Sequence, residues 1–308
     1  MTSSTAPLVS VYLPTRDRAS CLAQAIESVL EQSERRFELI IVDDGSCDET
    51  PTICARYASR DHRVRYFRHE SPLGAPAARN RALAEARGEF ITGLDDDDLM
   101  LPRRLESLIS HWAPGLSFVC SSYYLERYPG ARRTVLHRRA RQITVKDLLH
   151  QNFVGNQLFT RTENLRAIGG FDESFVASQD YDSWTRLSAQ FGAGQRIAEP
   201  SYVIRQRVTG ASISASDRFG IGARQYTAKH AEKMSASQLR SQRLLHRITA
   251  RERVRLYEWP KLFAWPTAGL LLRYTLSQWR WLRSLRDLID RKSTRLNSSH
   301  EWISRMPS

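Results

Sequence analysis

The chain has 308 residues, 41% of them hydrophobic, which is enough to bury the core of one large α/β domain or two smaller ones. Its four cysteines lie apart without a CxxC pair, which argues against a zinc site or a disulfide framework and favours a reducing compartment. The net charge of +13 leaves nucleic acid, an anionic membrane surface and small anions open as partners. The sequence has no run of about 18 apolar residues, so we expect no transmembrane helix. Its first residues are polar, so we expect no signal peptide.

Strands and helices alternate over about the first hundred residues. Short apolar strands are predicted at 9–13, 37–42, 64–67 and 89–94, with helices over about 20–30, 50–59 and 74–87 between them. Ser20 is the predicted N-cap of the first helix. Such alternation is typical of a parallel, doubly wound sheet, in which ligands bind outside the carboxyl ends of the strands.

Three of these strands end in polar residues that the sheet would bring to one edge. They are Pro14, Thr15 and Arg16 after the first strand, Asp43 and Asp44 after the second, and Asp95, Asp96, Asp97 and Asp98 after the fourth. Three polar clusters on one edge predict a ligand site more strongly than any of them alone.

The four consecutive carboxylates predict a metal site. Like charges repel one another, and folding alone gains nothing from placing four of them together. Carboxylate oxygens are natural ligands of Mg²⁺ and Mn²⁺, and a metal held in this way can also bind phosphate groups. The simpler interpretation is a solvated acidic turn in which Asp98 caps the next helix, but such a turn needs only one or two acidic residues.

The second part of the chain is predicted to mix strands and short helices. We expect a helix after Pro102, a helix over 142–151 with Thr144 as its cap, and a short helix capped by Thr162 that ends at Gly169-Gly170. Strands are predicted at 116–124, 134–137, 154–159 and 202–208. An amphipathic helix begins at Gln179-Asp180-Tyr181-Asp182, and acidic residues in a first turn suit the helix dipole. For Asp182 alone, the dipole is a sufficient explanation.

These motifs together resemble the family 2 glycosyltransferases of the GT-A fold. The matching segments are Val9 to Arg16, Ile40 to Ser46, Gly74 to Leu83, Leu94 to Asp98, Gly169 to Glu173 and Gln179 to Trp184. The resemblance covers about residues 8–215 and is specific because the motifs occur in the family's order and spacing. It implies a Rossmann-like nucleotide half and an acceptor half on a mostly parallel sheet.

The resemblance also implies a role for each residue at the first two strand ends. Pro14, Thr15 and Arg16 would line the nucleotide pocket. Asp43 would accept a hydrogen bond from the base, usually uracil, and Asp44 would support that turn.

The same resemblance assigns the residues of the acidic turn and the helix before it. Arg79 and Asn80 would contact the nucleotide. Asp95 would lie near the ribose, Asp97 would bind the Mg²⁺ or Mn²⁺ that bridges the diphosphate, and both are candidate metal ligands. Asp96 occupies the variable position between them and is taken as nucleotide-binding.

Asp180 would be the general base. The family often has Glu-Asp at this point, whereas this chain has Gln179-Asp180, which removes a charge that could tune the pKa of the base. Glycosyl transfer expels a nucleoside diphosphate whose developing charge a metal neutralises, and a carboxylate takes the proton of the acceptor hydroxyl. One in-line displacement inverts the anomeric centre. The resemblance therefore implies an inverting, metal-dependent transferase that uses a UDP-linked donor and a glycan or lipid-linked acceptor.

Three other interpretations compete with this one. A nucleotidyltransferase would usually carry a Gly-rich loop after the first strand, where this chain has Arg16, Asp17 and Arg18 and no glycine. A nucleic-acid-binding protein would explain the charge but needs a recognisable basic module, which we do not find. A carbohydrate-binding relative without activity is disfavoured by the intact Asp95, Asp97 and Asp180.

The chain is divided into three parts. These are a GT-A domain over 1–215, made of a nucleotide-sugar half at 8–105 and an acceptor half at 106–215, a basic helical extension over 216–290, and a tail at 291–308 that resembles non-native cloning sequence.

The extension interleaves basic, aromatic and aliphatic residues, which suits peripheral binding to an anionic membrane. The predicted membrane residues are Leu262, Phe263, Ala264, Trp265, Leu270, Leu271 and Leu272, the arginines 273, 280, 283 and 286, and the tryptophans 259, 265, 279 and 281. The alternative is a helical hairpin that packs on the catalytic domain. We expect a cytoplasmic protein, peripheral on the inner face of the plasma membrane.

Overall fold

The computed structural model describes residues 7–127, 130–205 and 217–278. Its first part alternates strand and helix as predicted. The elements are β1 (Val9–Thr15), α1 (Ala19–Leu30), β2 (Phe37–Asp43), α2 (Thr50–Arg60), β3 (Val64–Arg68), α3 (Ala75–Glu85) and β4 (Phe90–Gly93). Strands β1, β2, β3 and β4 pair in parallel, which confirms the doubly wound sheet predicted for this part of the chain.

The second part adds six strands and four helices before the C-terminal helices. The elements are β5 (Leu99–Met100), α4 (Arg104–Ser110), β6 (Val119–Glu126), β7 (Thr134–Leu136), β8 (Arg141–Ile143), α5 (Val145–Leu148), β9 (Phe159–Arg161), α6 (Thr162–Ala167), α7 (Gln179–Phe191) and β10 (Gly194–Arg205). All strands join one sheet in the order β3-β2-β1-β4-β9-β6-β10-β5, with β7 beside β6 and β8 beside β10.

Helices cover both faces of the sheet. On one face, Leu22 and Ile26 of α1 join the buried side chains of β1 and β2. On the other, Ala78 and Ala82 of α3 and Trp184 of α7 pack on the opposite sides of the same strands. Alternate residues of each strand therefore serve different cores, as expected when a parallel sheet is buried on both faces.

Two predicted helix caps are wrong. Helix α1 begins one residue before Ser20, and α6 begins at Thr162 itself, so neither side chain occupies the N-cap position. The Thr162 hydroxyl instead donates to the carbonyl of Gly88 and ties α6 to the start of β4. The Thr144 cap of α5 is confirmed, because its hydroxyl accepts the backbone N–H of Asp147 in a capping box.

The C-terminal part consists of α8 (Asp217–His230), α9 (Ala236–Thr249), α10 (Trp259–Leu262) and α11 (Ala268–Ser277), with 3₁₀ turns at Ala231–Lys233, Leu256–Glu258 and Trp265–Thr267. Helix α8 packs on α7 by stacking Tyr226 on Tyr181 at 3.8 Å. Helix α9 is fixed by the Gln242 amide, which donates to the carbonyl of Leu149. No described helix is long and apolar enough to cross a membrane.

The structure divides the residues predicted to insert into a membrane. Leu262, Leu270 and Leu271 are buried in a small core with α9, and Ala264 is buried as well, so the prediction is wrong for these four residues.

Arg273 is buried as well, whereas Phe263, Trp265 and Leu272 are exposed and Trp259 is partly buried. Trp279, Arg280, Trp281, Arg283 and Arg286 lie outside the described residues. Because this segment alternates between inward and outward side chains, sequence hydrophobicity alone could not tell the two sets apart.

Candidate active site

Parallel pairing brings the polar strand ends to one edge of the sheet. Thr15 at the end of β1 lies opposite Asp43 at the end of β2, and the N–H of Asp44 donates to the Thr15 carbonyl. On the other side of β1, Tyr12 pairs with Gly93, the last residue of β4 before the acidic turn. The predicted site therefore forms on one continuous edge.

Three side chains hold the carboxylate of Asp95. One Asp95 oxygen accepts hydrogen bonds from Arg79 at 3.0 Å and from the Gln157 amide at 2.9 Å. The other accepts from the Asn156 amide at 3.1 Å. Donors on both oxygens fix the orientation of Asp95. Of the three, Arg79 was predicted as a site residue, whereas Asn156 and Gln157 were not.

Gln157 is itself held by the floor of the site. The Tyr12 hydroxyl donates to its amide oxygen at 2.8 Å. A Cβ at Gly93 would lie 2.1 Å from the same oxygen and 2.3 Å from the Tyr12 ring, so position 93 has no room for a side chain. The sequence did not predict the contacts of Asn156 and Gln157 because they depend on the sheet topology. Strand β9 pairs antiparallel with β4, and this brings the loop before β9 to the acidic turn.

One carboxylate of the acidic turn holds the turn itself together. Asp98 is buried, accepts the backbone N–H of Arg205 and closes the turn with its own N–H to the Asp95 carbonyl. It does not cap α4, whose N-cap residue is Arg103. The simpler interpretation of the turn is therefore wrong for Asp98. Asp96 and Asp97 are half-buried beside it.

Excess negative charge at this turn suits a cation. Burial raises the pKa of Asp96 to about 7, the charge of Asp97 adds to that rise, and Arg18, whose Nε lies 3.4 Å from Asp96, opposes it. Within the described residues no group of three or more Asp, Glu, His or Cys side chains forms a complete metal site. Mg²⁺ commonly binds one or two carboxylates and completes its coordination shell with phosphate and water. This turn can supply the one or two carboxylates.

At the end of β2, Asp43 is fully buried and holds its turn. One oxygen accepts the N–H of Ser46 at 2.9 Å, and the other accepts the Tyr66 hydroxyl at 3.0 Å, with Arg68 3.5 Å away. These partners engage both oxygens of Asp43 in the structure. The predicted hydrogen bond between Asp43 and a base stays a prediction.

Asp44 fixes the loop that leads into α3. Its carboxylate accepts the N–H groups of Leu73 and Gly74 and faces His69, all at 2.8 Å. Burial alone would raise the pKa of Asp44, but these hydrogen bonds outweigh it and hold the pKa below its usual value. The support predicted for Asp44 thus extends to the start of the helix that carries Arg79.

Asn80 joins α3 to the Gly-Gly-Phe-Asp-Glu loop. Its amide donates to the carbonyl of Phe171 at 2.7 Å and to Glu173, and its oxygen accepts the Phe171 N–H at 2.8 Å. Gly170 is required there, because its φ is +65° and a Cβ would lie 2.5 Å from the Asn80 oxygen. Asn80 therefore positions this loop, and its contact with a nucleotide stays a prediction.

The remaining residues after β1 lie at the same strand end. Pro14 is half-buried, Thr15 is buried, and the exposed Arg16 pairs with Asp17 at 3.6 Å.

Asp180 lies in the first turn of α7, half-buried, after Ser178 in the left-handed conformation at φ +62°. The charge of Asp180, like that of Asp95, acts on the guanidinium of Arg79. Burial acts to lower the pKa of Arg79, but Asp95, Tyr12 and Asp180 outweigh it and raise that pKa. The candidate base and the acidic turn therefore share one electrostatic environment.

Asp182, two residues further on, does more than complement a helix dipole. It is fully buried and accepts from Arg186 at 2.8 Å, Lys229 at 3.0 Å and the His230 ring at 2.9 Å. Lys229 also donates to Asp172 at 2.6 Å. This cluster locks the helix that carries Asp180 against α8. The sequence could not reveal it, because Lys229 and His230 follow almost fifty residues later.

Breaking this cluster should cost stability. Asp182→Ala leaves the cations of Arg186 and Lys229 without their buried counter-charge, so we expect a loss of roughly 3–5 kcal/mol in the free energy of unfolding. Denaturant unfolding measures it. Glu106→Ala, which removes an exposed partner of Arg103, is the control and should change little. Equal stability of the two variants would contradict the role given to Asp182.

The same cluster predicts a pH dependence. The hydrogen bond from Lys229, followed by those of Ser174, lowers the pKa of Asp172 to about 2. A folded pKa below the unfolded value stabilises the fold above the unfolded pKa, and this contribution is lost as the pH falls through the folded pKa. The stability difference between wild type and Lys229→Met should therefore be constant above about pH 5 and shrink towards pH 2. A difference that does not change with pH would contradict this account.

Comparison with known proteins identifies the family of this chain. The model of glycosyl transferase family 2 matches residues 10–173. The putative colanic acid biosynthesis glycosyl transferase WcaA of Escherichia coli is 31% identical over 237 residues, which are 74% of this chain and 82% of that relative. The GalNAc(5)-diNAcBac-PP-undecaprenol β-1,3-glucosyltransferase of Campylobacter jejuni is 29% identical over 177 residues, 56% of this chain and 57% of its own length.

Solved structures show the same fold. Staphylococcus aureus TarS 1–349 in complex with UDP-GlcNAc has a TM-score of 0.61 at 20% identity, over 82% of this chain and 78% of that chain. Mannosyltransferase PcManGT of Pyrobaculum calidifontis, in complex with GDP-Man and Mn²⁺, has a TM-score of 0.59 at 19% identity, over 92% of this chain and 84% of that chain. The chain belongs to glycosyl transferase family 2, and it is a glycosyltransferase of the GT-A fold.

Proposed function

We propose that the protein transfers a sugar from a UDP-linked donor to a hydroxyl of a glycan or lipid-linked acceptor, with inversion at the anomeric carbon and with Mg²⁺ or Mn²⁺. The observation that supports this most is the hydrogen bond from Arg79 to Asp95 of the acidic turn, at an arginine whose pKa the charge of Asp180 also raises. A carboxylate for the metal and a carboxylate for the acceptor proton then belong to one environment.

In this proposal the residues divide the work between the two substrates. Asp97, with Asp95 as a second candidate ligand, would hold the metal, which supplies positive charge to the departing diphosphate. Arg79 orients Asp95 and adds a buried cation near the leaving group. Asp180 takes the proton of the acceptor hydroxyl as its oxygen attacks the anomeric carbon, and the bond to the diphosphate oxygen breaks in the same displacement.

Two solved structures of the same fold support the proposed nucleotide-sugar donor. The two matched structures were solved with UDP-GlcNAc and with GDP-Man and Mn²⁺. The nucleotide would lie along the strand ends at Pro14, Thr15 and Arg16, with its base towards the turn at Asp43 and Asp44. Asp96, the variable member of the motif, would also contact the nucleotide.

The acceptor proposal takes support from the relatives' names. One relative is assigned to colanic acid biosynthesis, and another is named for an undecaprenol-linked glycan. A lipid-linked acceptor would hold the enzyme at the inner face of the membrane. We therefore propose peripheral attachment there.

A sugar-nucleotide panel tests the proposal. The purified protein with Mn²⁺ is incubated with UDP-, GDP- and dTDP-sugars, and the released nucleotide is identified. We expect release of the nucleoside diphosphate from one nucleotide class, UDP, and loss of release with chelator. Exchange of a nucleoside triphosphate with a sugar 1-phosphate would instead identify a nucleotidyltransferase. No turnover with any member of the panel would contradict the proposal.

A further inference from the structure

The C-terminal part carries an exposed apolar surface. Eight large hydrophobic side chains are exposed among the described residues, and five of them lie between positions 256 and 272. This aromatic surface consists of Leu256, Tyr257, Phe263, Trp265 and Leu272. Trp265 is 82% exposed, and its ring lies 5.8 Å from that of Phe263. Large apolar side chains concentrated in this way mark a site of interaction.

A packed core fixes the direction of these side chains. Leu262 and Ala264, the neighbours of Phe263, are buried against α9, and Leu270 and Leu271 are buried beside Leu272. The 3₁₀ turn that begins at Trp265 leads directly into α11, on which Leu272 is also exposed. The exposure is therefore a property of a folded segment.

The aromatic surface lies in strongly basic surroundings. Residues 236–278 contain eight Lys or Arg against two Glu, a net charge of +6. Both glutamates, Glu252 and Glu258, pair with Arg247 at 2.9 Å. Arg240 donates to the backbone carbonyl of Phe263 at 2.8 Å, so a basic side chain contacts the segment that carries the aromatic rings. Lys261 is exposed two residues before Phe263.

Charge separates the possible occupants of this surface. A second copy of the chain would bring another +6 against it. Residues 279–308, which follow α11, contain seven Lys or Arg against three acidic residues, so this segment would bring +4. Both would add like charge to like. An anionic partner complements the surface in sign.

We propose that the aromatic surface inserts into a membrane that contains anionic lipid. Tryptophan and tyrosine rings suit the boundary between headgroups and acyl chains, because one part of the ring stays wet. Basic side chains around an inserting apolar group add attraction to anionic headgroups. The partner is thus a lipid surface, met by Trp265, Phe263 and Leu272 first, with Arg240 and Lys261 against the headgroups.

Vesicle co-sedimentation tests this with the full chain. One set of vesicles is phosphatidylcholine alone, and the other is equal parts phosphatidylcholine and phosphatidylglycerol. The test variant is Phe263→Ser with Trp265→Ser, whose side chains lie outside the core. Ile221→Ser on α8 is the matched control, because Ile221 is as exposed as Phe263, at 40%. Deleting the segment is unsuitable, since it would open the core around Leu270.

We expect the wild type to bind only the vesicles with phosphatidylglycerol, and to bind them less at high salt. The double variant should lose roughly tenfold in binding for each ring that no longer inserts, and Ile221→Ser should bind as the wild type. Lys261→Gln should weaken binding without any effect on the core.

Three results would overturn the proposal. They are no binding of the wild type to either vesicle, unchanged binding of the double variant, and a wild-type dimer that the double variant converts to a monomer. The last would assign the surface to a second copy. No substrate is present in these measurements, so their failure and a failure of the proposed sugar transfer are distinguishable.

Discussion

Asp180→Asn should keep donor binding and lose transfer. Asparagine has nearly the same shape as aspartate but cannot take a proton at neutral pH, so the acceptor hydroxyl loses its base. A well-placed general base contributes roughly 10²–10⁴-fold to the rate, and we expect a loss in that range for kcat. Steady-state transfer, with donor affinity measured separately by calorimetry, separates the chemical step from binding.

Gln179→Glu is the informative companion to that variant. It introduces the Glu-Asp pair that the family often has at this position. We expect it to change the pH dependence of the transfer rate more than the maximal transfer rate. Asp182→Asn would act through the stability of α7, which unfolding measurements detect. If Asp180→Asn transfers sugar within a factor of about two of wild type, Asp180 is not the base.

Asp97→Ala should abolish metal-dependent donor binding while the fold survives. Burial is the larger cause of the raised pKa of Asp96, and repulsion from the neighbouring charge of Asp97 adds to it. Removing one carboxylate relieves that repulsion, so thermal stability should be unchanged or higher. The metal would neutralise charge on the bound diphosphate, so we expect UDP affinity with Mn²⁺ to fall by about 10²-fold or more, about 2.7 kcal/mol.

Calorimetric titration of UDP with Mn²⁺ and with chelator measures this loss. Glu106→Gln, an exposed carboxylate elsewhere, should bind as the wild type. Unchanged UDP affinity of the Asp97 variant in Mn²⁺ would remove Asp97 from the metal site.

Local patterns sufficed for the nucleotide half of the fold. Each strand there is an apolar run that ends in polar residues, and parallel pairing places those ends together with no further information. For this reason Thr15, Asp44 and the acidic turn lie on one sheet edge, as predicted.

Contacts between distant segments could not be predicted in this way. Asn156 and Gln157 reach Asp95 only because a three-residue strand, β9, pairs antiparallel with β4. Such a short strand leaves no periodic signal. The buried cluster at Asp182 likewise depends on α8, which lies far along the chain.

The C-terminal helices show the same limit from another side. Leu262 and Phe263 are both apolar neighbours, yet one is buried and the other exposed. Hydrophobicity predicts that both side chains favour an apolar environment. Only the packing of the folded chain decides which of them is buried in protein and which is left for an interaction partner.

The most direct test of the central claim, a nucleotide-sugar site at this sheet edge, is a crystal structure with UDP and Mg²⁺. We predict that the base lies at the turn of Asp43, that the diphosphate lies at the acidic turn, and that an Asp97 oxygen coordinates the metal at about 2.0–2.1 Å. A nucleotide bound elsewhere, or a metal held without Asp97, would contradict the account.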